Sequence, residues 1–126
     1  MKIHPDIISV PFISSYGKGW VQVASEQLTR SVVIASDGRR FEWPCARFED
    51  LTAAHFEQLA QLQTELVIFG SGERLRFPDA TLTRALIESQ IGIESMDTQA
   101  ACRTYNILAG EGRHVAVALL MERSGD

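Results

Sequence analysis

Three stretches of the chain carry residue types capable of chemistry. Gly70-Ser71-Gly72-Glu73-Arg74 follows a short apolar run, and a glycine turn in that position can aim backbone N–H groups at a phosphate or carboxylate. Asp97-Thr98 opens a helix-forming stretch, whose first turn offers unpaired N–H donors and the positive end of a dipole. In an open parallel sheet the ligand crevice lies outside the carboxyl ends of the strands, where both stretches fall. Together they outline a site for a small anion or a nucleotide fragment. Other features favour a tight strand-exit turn and a self-capped helix. The turn lacks the Lys-Ser/Thr ending of a phosphate loop and the third glycine of a dinucleotide fingerprint. Phe77-Pro78 separates it from the next helix, and the Asp97 carboxylate can itself cap the helix it precedes.

The third stretch is the helix after Asp97. Gln99, Arg103, Asn106 and Gly110 recur at spacings of four, three and four, which puts them on one polar stripe opposite Ala101, Tyr105 and Leu108. A solvated face needs only that pattern; the sharper reading has Arg103 and Asn106 touching a ligand or partner. Cys102 lies one turn into the same helix, where a dipole can lower a thiol pKa, yet none of His4, His55 and His114 is placed beside it by spacing, so inert packing is expected. Glu73, Glu94, Asp97 and Glu111 could pair for acid/base work, but each has a local explanation: a strand position for Glu94, a cap for Asp97, a turn with Arg113 for Glu111. No catalytic residue, metal site or cofactor site is predicted. The candidate ligand or partner surface is Gly70, Ser71, Gly72, Glu73, Arg74, Asp97, Thr98, Arg103 and Asn106.

The elements that must position these residues follow from periodicity. Ile7 to Ile13 reads as a strand, Gly17 and Gly19 as a bend, and Trp20 to Val23 as a second strand. Ser31 to Ala35 leads into Asp37-Gly38, a hairpin signal, then Phe41 and Trp43, and Pro44 ends the antiparallel part. From Thr52 the period becomes helical, with Phe56, Leu59 and Gln63 on one face and Leu51 placed to staple Phe56. Leu66 to Phe69 is a continuous apolar run of the kind buried on both faces. A second helix follows Pro78-Asp79, with Asp79 as cap and Leu82, Ala85, Leu86 and Ser89 inward. Ile91 to Ser95 is a strand, Asp97 starts the third helix, with Ala101, Thr104, Tyr105 and Leu108 inward, and Val115 to Leu120 is the last strand. Two successive βαβ units give three parallel strands with helices packed on them. The predicted class is α/β, one domain over 1–126, with an antiparallel part at 1–45 and a parallel part at 50–121.

Composition excludes several partners. With 126 residues, 45% apolar and 22% charged, the chain has ordinary globular make-up and enough length for a core without metal or disulfide staples. A net charge of -4 and no basic run leave no footprint for nucleic acid. The longest apolar run, Val115 to Met121, falls short of the roughly 18 residues a membrane span needs. Met1-Lys2-Ile3-His4-Pro5-Asp6 reads as neither a signal nor a transit segment. Cys45 and Cys102 have no redox or zinc spacing, which predicts free thiols and a cytoplasmic setting.

The stretch Met96-Asp97-Thr98-Gln99-Ala100-Ala101-Cys102-Arg103-Thr104-Tyr105-Asn106, the Gly70-Ser71-Gly72 turn and Glu111-Gly112-Arg113 occur in one order. With weaker matches at Tyr16 to Trp20 and Trp43-Pro44, the chain resembles the small uncharacterised α/β proteins related to mitochondrial complex I assembly factor 3 and to the adipogenesis-associated proteins of similar fold. The resemblance implies a three-layer fold with a short parallel sheet and an N-terminal antiparallel sheet. It implies no settled enzymatic activity; the mitochondrial relative assists assembly of the respiratory NADH dehydrogenase together with a second assembly protein. The expected function is therefore a non-enzymatic interaction or assembly helper with a protein partner, and a homo-oligomer is compatible with that expectation. The alternative is a small-anion or metabolite binder, or an enzyme, using the strand-end crevice.

Overall fold

The computed structural model describes residues 10–122. A hairpin-linked sheet is formed by β1 (Ile13–Gly17), β2 (Trp20–Val23) and β3 (Glu26–Leu28), paired antiparallel in that order. A second sheet holds β4 (Val32–Ala35), β5 (Arg40–Glu42), β6 (Leu66–Gly70), β7 (Gly92–Met96) and β8 (Val115–Leu119) in the order β5-β4-β8-β6-β7. Strands β6, β7 and β8 run parallel, with Ile68 opposite Glu94 on one side and Val117 on the other. The helices are α1 (Ala53–Ala60), α2 (Arg84–Glu88) and α3 (Thr98–Gly110).

Alternation along the buried strands divides the core into two layers. Val33, Ala35, Val67, Phe69, Ala116 and Ala118 face α1 and α2 through Phe56, Leu59 and Leu86. Their chain neighbours Val32, Ile34, Ile68, Val115, Val117 and Leu119 face α3 and the three-stranded sheet through Ala101, Tyr105, Ile13 and Val21. A strand covered on both faces has no polar side, which is why β4, β6 and β8 read as unbroken apolar runs. The α/β class, the parallel strands and the separate antiparallel sheet are as expected, and the layering is helices, sheet, then helix with sheet.

The antiparallel part does not stand apart from the parallel part. β4 pairs antiparallel with β8, Val33 opposite Ala118, so the Asp37-Gly38 hairpin of β4 and β5 belongs to the main sheet and only β1 to β3 form the second one. Burial forces this arrangement: Val32 to Ala35 are all at most 5% exposed, and an edge strand cannot achieve that. Trp43 follows β5 and extends the ladder by one bond, donating N–H to the Ser31 carbonyl at 2.9 Å. Its ring packs edge-on against His55, Phe56 and Phe69 at 5.8, 5.9 and 6.0 Å.

Other local expectations shift. The first strand begins at Ile13; of the run placed at Ile7 to Ile13, residues 7–9 lie outside the described residues and 10–12 form no strand. Thr52 does start α1, and His55 completes the cap, its Nδ1 accepting the Thr52 N–H at 3.0 Å while Nε2 meets the Pro44 carbonyl at 2.7 Å. Gln63 is not on the inner face: the helix ends at Ala60 and Gln63 is exposed at φ +56°. The second helix is only one turn and a half. Asp79 spends its carboxylate on the Thr81 N–H and hydroxyl at 2.9 and 2.8 Å, forming a turn ahead of α2 rather than its cap, as Asp commonly does after Pro. Of its predicted inward residues Leu86 is buried, Leu82 and Ala85 are half-buried, and Ser89 is exposed. In α3 the predicted Thr104 and Leu108 are half-buried, and Cys102 and Ala109 join Ala101 and Tyr105 inside.

Candidate functional site

The carboxyl ends of β6, β7 and β8 bring the glycine turn and the start of α3 together, as the crossover order requires. Gly70 is where the helix meets the sheet most closely: a Cβ there would lie 3.0 Å from the Thr98 Cα and 3.1 Å from the Ala101 Cβ. Gly72 adopts φ +104°, and a Cβ there would fall 2.7 Å from the Arg76 guanidinium and 2.9 Å from Glu122 Oε1. Gly70 is therefore held by close packing against α3, and Gly72 by a positive φ that glycine adopts readily.

Four of the donors that would hold an anion are spent within the chain. Ser71 N–H donates to the Met96 carbonyl at 2.8 Å, and Gly72 N–H donates to Thr98 Oγ1 at 2.9 Å. At the helix start, Thr98 N–H donates to the Gly72 carbonyl at 2.8 Å and Ala100 N–H to Asp97 Oδ1 at 2.9 Å. Thr98 Oγ1 donates onward to the Leu120 carbonyl at 3.0 Å. The fully buried Ser71 hydroxyl donates to the Arg74 carbonyl at 2.8 Å and accepts the Arg76 N–H at 2.9 Å. The rim retains a cavity of about 20 Å³, touched by Gly72, Thr98 and Glu122, the room of a single water.

A pair that spacing did not reveal closes this rim. Arg76 forms an ion pair with Glu122, donates to the Ser71 carbonyl at 2.6 Å and lies 4.6 Å above the Phe48 ring. The second Glu122 oxygen accepts the Phe48 N–H at 2.7 Å. The partners stand 46 positions apart, beyond any local pattern; the available hint is a lone Arg between Leu75 and Phe77, a charge alternating with two large apolar residues.

The remaining candidates are scattered. Glu73 is exposed, 3.7 Å from Lys18, and Arg74 is exposed. Arg103 reaches the Tyr16 hydroxyl at 3.3 Å. Asn106 is committed to the backbone of β1, bonding both N–H and C=O of Ile13, so the polar stripe of α3 is partly roofed by β1. Arg113 pairs with Glu65 at 2.7 Å rather than with Glu111. Burial pushes the Cys102 thiol up to about 12, which removes its nucleophilic form near neutrality. Asp37, facing Arg39 and His114 in the hairpin loop, is held at about 2 chiefly by its bonds to Arg39. Among the described residues no group of three His, Cys, Asp or Glu side chains converges on a metal position, and no helix is long and apolar enough to cross a membrane. Larger concavities lie away from the rim: one of about 360 Å³ lined by Leu28, Arg30 and Phe41, another of about 320 Å³ lined by Phe77, Thr83 and Ile93 beside β7.

Comparison with known proteins matches this architecture. A crystal structure from Bordetella parapertussis superposes with TM-score 0.86 at 37% identity, covering 92% of this chain and 99% of that one. A solution structure of a Mth938-like domain from Bordetella pertussis gives 0.81 at 32%, covering 97% and 93%. NADH dehydrogenase [ubiquinone] 1 alpha subcomplex assembly factor 3 of Bos taurus is 31% identical over 86 residues, 67% of this chain and 47% of that protein. The chain thus spans about half the length of this curated relative. The likeness seen in the Met96 to Asn106 stretch extends through the fold, and the family described as proteins of unknown function, DUF498/DUF598, matches residues 13–120, so the chain belongs to that family.

Proposed function

We propose that the protein is a non-enzymatic interaction module that assists assembly of a multi-protein complex, working through a protein partner rather than a small ligand in the strand-end crevice. The observation that carries this reading is the self-filled rim. Where an α/β sheet usually leaves its crevice, Gly72, Thr98, Ser71, Arg76 and Glu122 bond one another and leave about 20 Å³, whereas metabolite sites commonly need about 300 Å³ or more. The assembly-factor name of the bovine relative supports the same reading. Of the candidate surface, Glu73, Arg74 and Arg103 keep exposed side chains and are the members suited to a partner. Ser71, Gly72, Asp97, Thr98 and Asn106 serve to build it. We further propose that residues 1–126 act as one domain in the cytoplasm, a reducing setting that suits Cys45 and Cys102, which are free and sit in separate core layers.

The test is capture of the tagged protein from its native cell, reconstitution of the complex from purified components, and a thermal-shift screen of the isolated protein. A stable complex that rebuilds from purified proteins, with a flat screen against nucleotides, phosphate and acyl compounds at millimolar concentration, is the expected result. A small molecule that raises the melting temperature, with no reconstitutable partner, overturns the proposal, because a ligand of the native state must stabilise it.

A further inference from the structure

We infer that His55 is a proton-sensitive catch on α1: the neutral ring ties the start of the helix to the turn at Pro44, and taking up a proton releases the helix start while keeping hold of the turn. Both ring nitrogens face backbone groups of fixed polarity. Nδ1 lies 3.0 Å from the Thr52 nitrogen, and Nε2 lies 2.7 Å from the Pro44 carbonyl oxygen. A carbonyl oxygen can only accept and a backbone N–H can only donate. The two contacts together therefore fix one form of the ring, neutral with its hydrogen on Nε2. An imidazolium carries hydrogens on both nitrogens and would turn one of them against the Thr52 N–H. The Thr52 hydroxyl, 3.1 Å from Nδ1, can change from donor to acceptor and stay; the backbone N–H cannot. The Pro44 bond survives protonation, because the carbonyl accepts from either form and more strongly from a cation.

Position makes the change consequential. His55 is the third residue of α1 and fills the place that Glu or Gln takes in the usual capping box. A positive charge there meets the positive end of the helix dipole. The helix has only eight residues, and its buried side chains are Phe56 and Leu59, so the core grips the part that follows His55 and the opening is confined to the first turn. The ring itself is half-buried, within reach of a proton from water. No countercharge holds it in either form. The charged groups on the adjoining segments are Glu42, Arg47, Glu49 and Asp50, with Glu57 on α1 and Arg84 and Glu88 on α2. Glu42 is paired with Arg30 and Glu49 with Arg47, and among the described residues His55 takes part in no ion pair. The Cys45 thiol beside Pro44 is pushed up by burial and stays neutral. Imidazole is the side chain whose ordinary titration falls between about pH 5 and 8, so mild acid addresses the catch and leaves these neighbours as they are.

The experiment follows the His55 ring nitrogens and the Thr52 amide by nitrogen-15 NMR from pH 7.5 to 5.5, in the wild type and in His55→Gln and His55→Ala. At pH 7.5 the ring is expected as the Nε2–H tautomer. As it gains its proton, the Thr52 amide resonance should move with the same midpoint. Its protection factor should fall about fivefold, the equivalent of one hydrogen bond. Glutamine keeps an acceptor in the capping box and does not titrate, so His55→Gln should hold the Thr52 amide protected across the range, and His55→Ala should leave it unprotected throughout. An Nδ1–H tautomer at pH 7.5, or a Thr52 amide that ignores the titration of the ring, overturns the proposal. The same acid response in His55→Gln also overturns it, by assigning the response to another group, as does full protection of Thr52 in His55→Ala. The tautomer and the shared midpoint are read in the wild-type protein, so the outcome does not depend on either variant folding.

Discussion

The side-chain amide of Asn106 closes on both backbone groups of Ile13: Nδ2 donates to the carbonyl and Oδ1 accepts the N–H, each at 2.9 Å. A primary amide can mimic the edge of a neighbouring strand in this way, supplying one donor and one acceptor. With Tyr105 donating its hydroxyl to the Pro11 carbonyl at 2.7 Å, it fastens β1, and through β1 the three-stranded sheet, onto α3.

Asn106→Leu is therefore expected to destabilise the protein by about 2 kcal/mol, since both Ile13 groups lose a partner in a half-buried place. Urea denaturation measures the loss, and amide exchange distinguishes its origin. Protection should fall first along β1 and β2 while β6 and β8 keep theirs; uniform loss would place the damage elsewhere.

Gly70 tests the close approach of α3 to the sheet. A methyl group there would meet the Thr98 Cα, which is backbone and cannot swing aside. Gly70→Ala should cost about 1–3 kcal/mol through overpacking, read as a lowered midpoint in urea with an unchanged slope. Gly19→Ala meets nothing within 4 Å, so any penalty there reports backbone strain at φ +77° rather than crowding.

Alkaline pH probes Cys102. The folded thiol is raised to about 12 by burial, while the unfolded thiol titrates near its ordinary value of about 8.5. Above that value the unfolded chain binds fewer protons than the native one, so stability is full below it and declines toward pH 12, by up to about 1.4 kcal/mol per pH unit from this group. Cys102→Ala should give a shallower alkaline decline. A thiol reagent such as Ellman's at pH 8 should modify Cys102 only as fast as the protein opens; stoichiometric labelling within seconds in native buffer would contradict its burial.

Unfolding probes test the single domain. Trp20 lies in β2 of the small sheet and Trp43 in the layer under α1, so fluorescence of Trp20→Phe and of Trp43→Phe reports on the two parts separately. If packing of the small sheet on α3 and on β4 binds the parts into one cooperative unit, each variant's fluorescence midpoint will coincide with its own circular dichroism midpoint. An earlier transition seen from Trp20 would show that the small sheet melts on its own.

Legibility in the sequence followed range. The runs Leu66 to Phe69 and Val115 to Leu120, the helix from Asp97 and the hairpin at Asp37-Gly38 were readable because burial and capping leave marks within a few residues of their cause. Where two local signals competed, the reading failed: a proline and Asp79 looked like a helix start, but the Asp79 carboxylate served Thr81 and delayed α2 to Arg84. The candidate site was legible as a place, with a self-capped helix and a tight turn as the favoured reading over an anion crevice; which groups satisfy which, such as Gly72 N–H on Thr98 Oγ1, was not legible, because the partners lie 26 positions apart.

The sequence by itself determined the α/β class, the apolar strands and the Asp97 cap. The tertiary structure decided that β8 lies between β4 and β6, that Arg76 meets Glu122 and that Asn106 holds Ile13, 93 positions away. The physical reason is that periodicity records which side of an element is buried, whereas the partner of a buried donor or charge is fixed by strand order and loop closure across the whole chain.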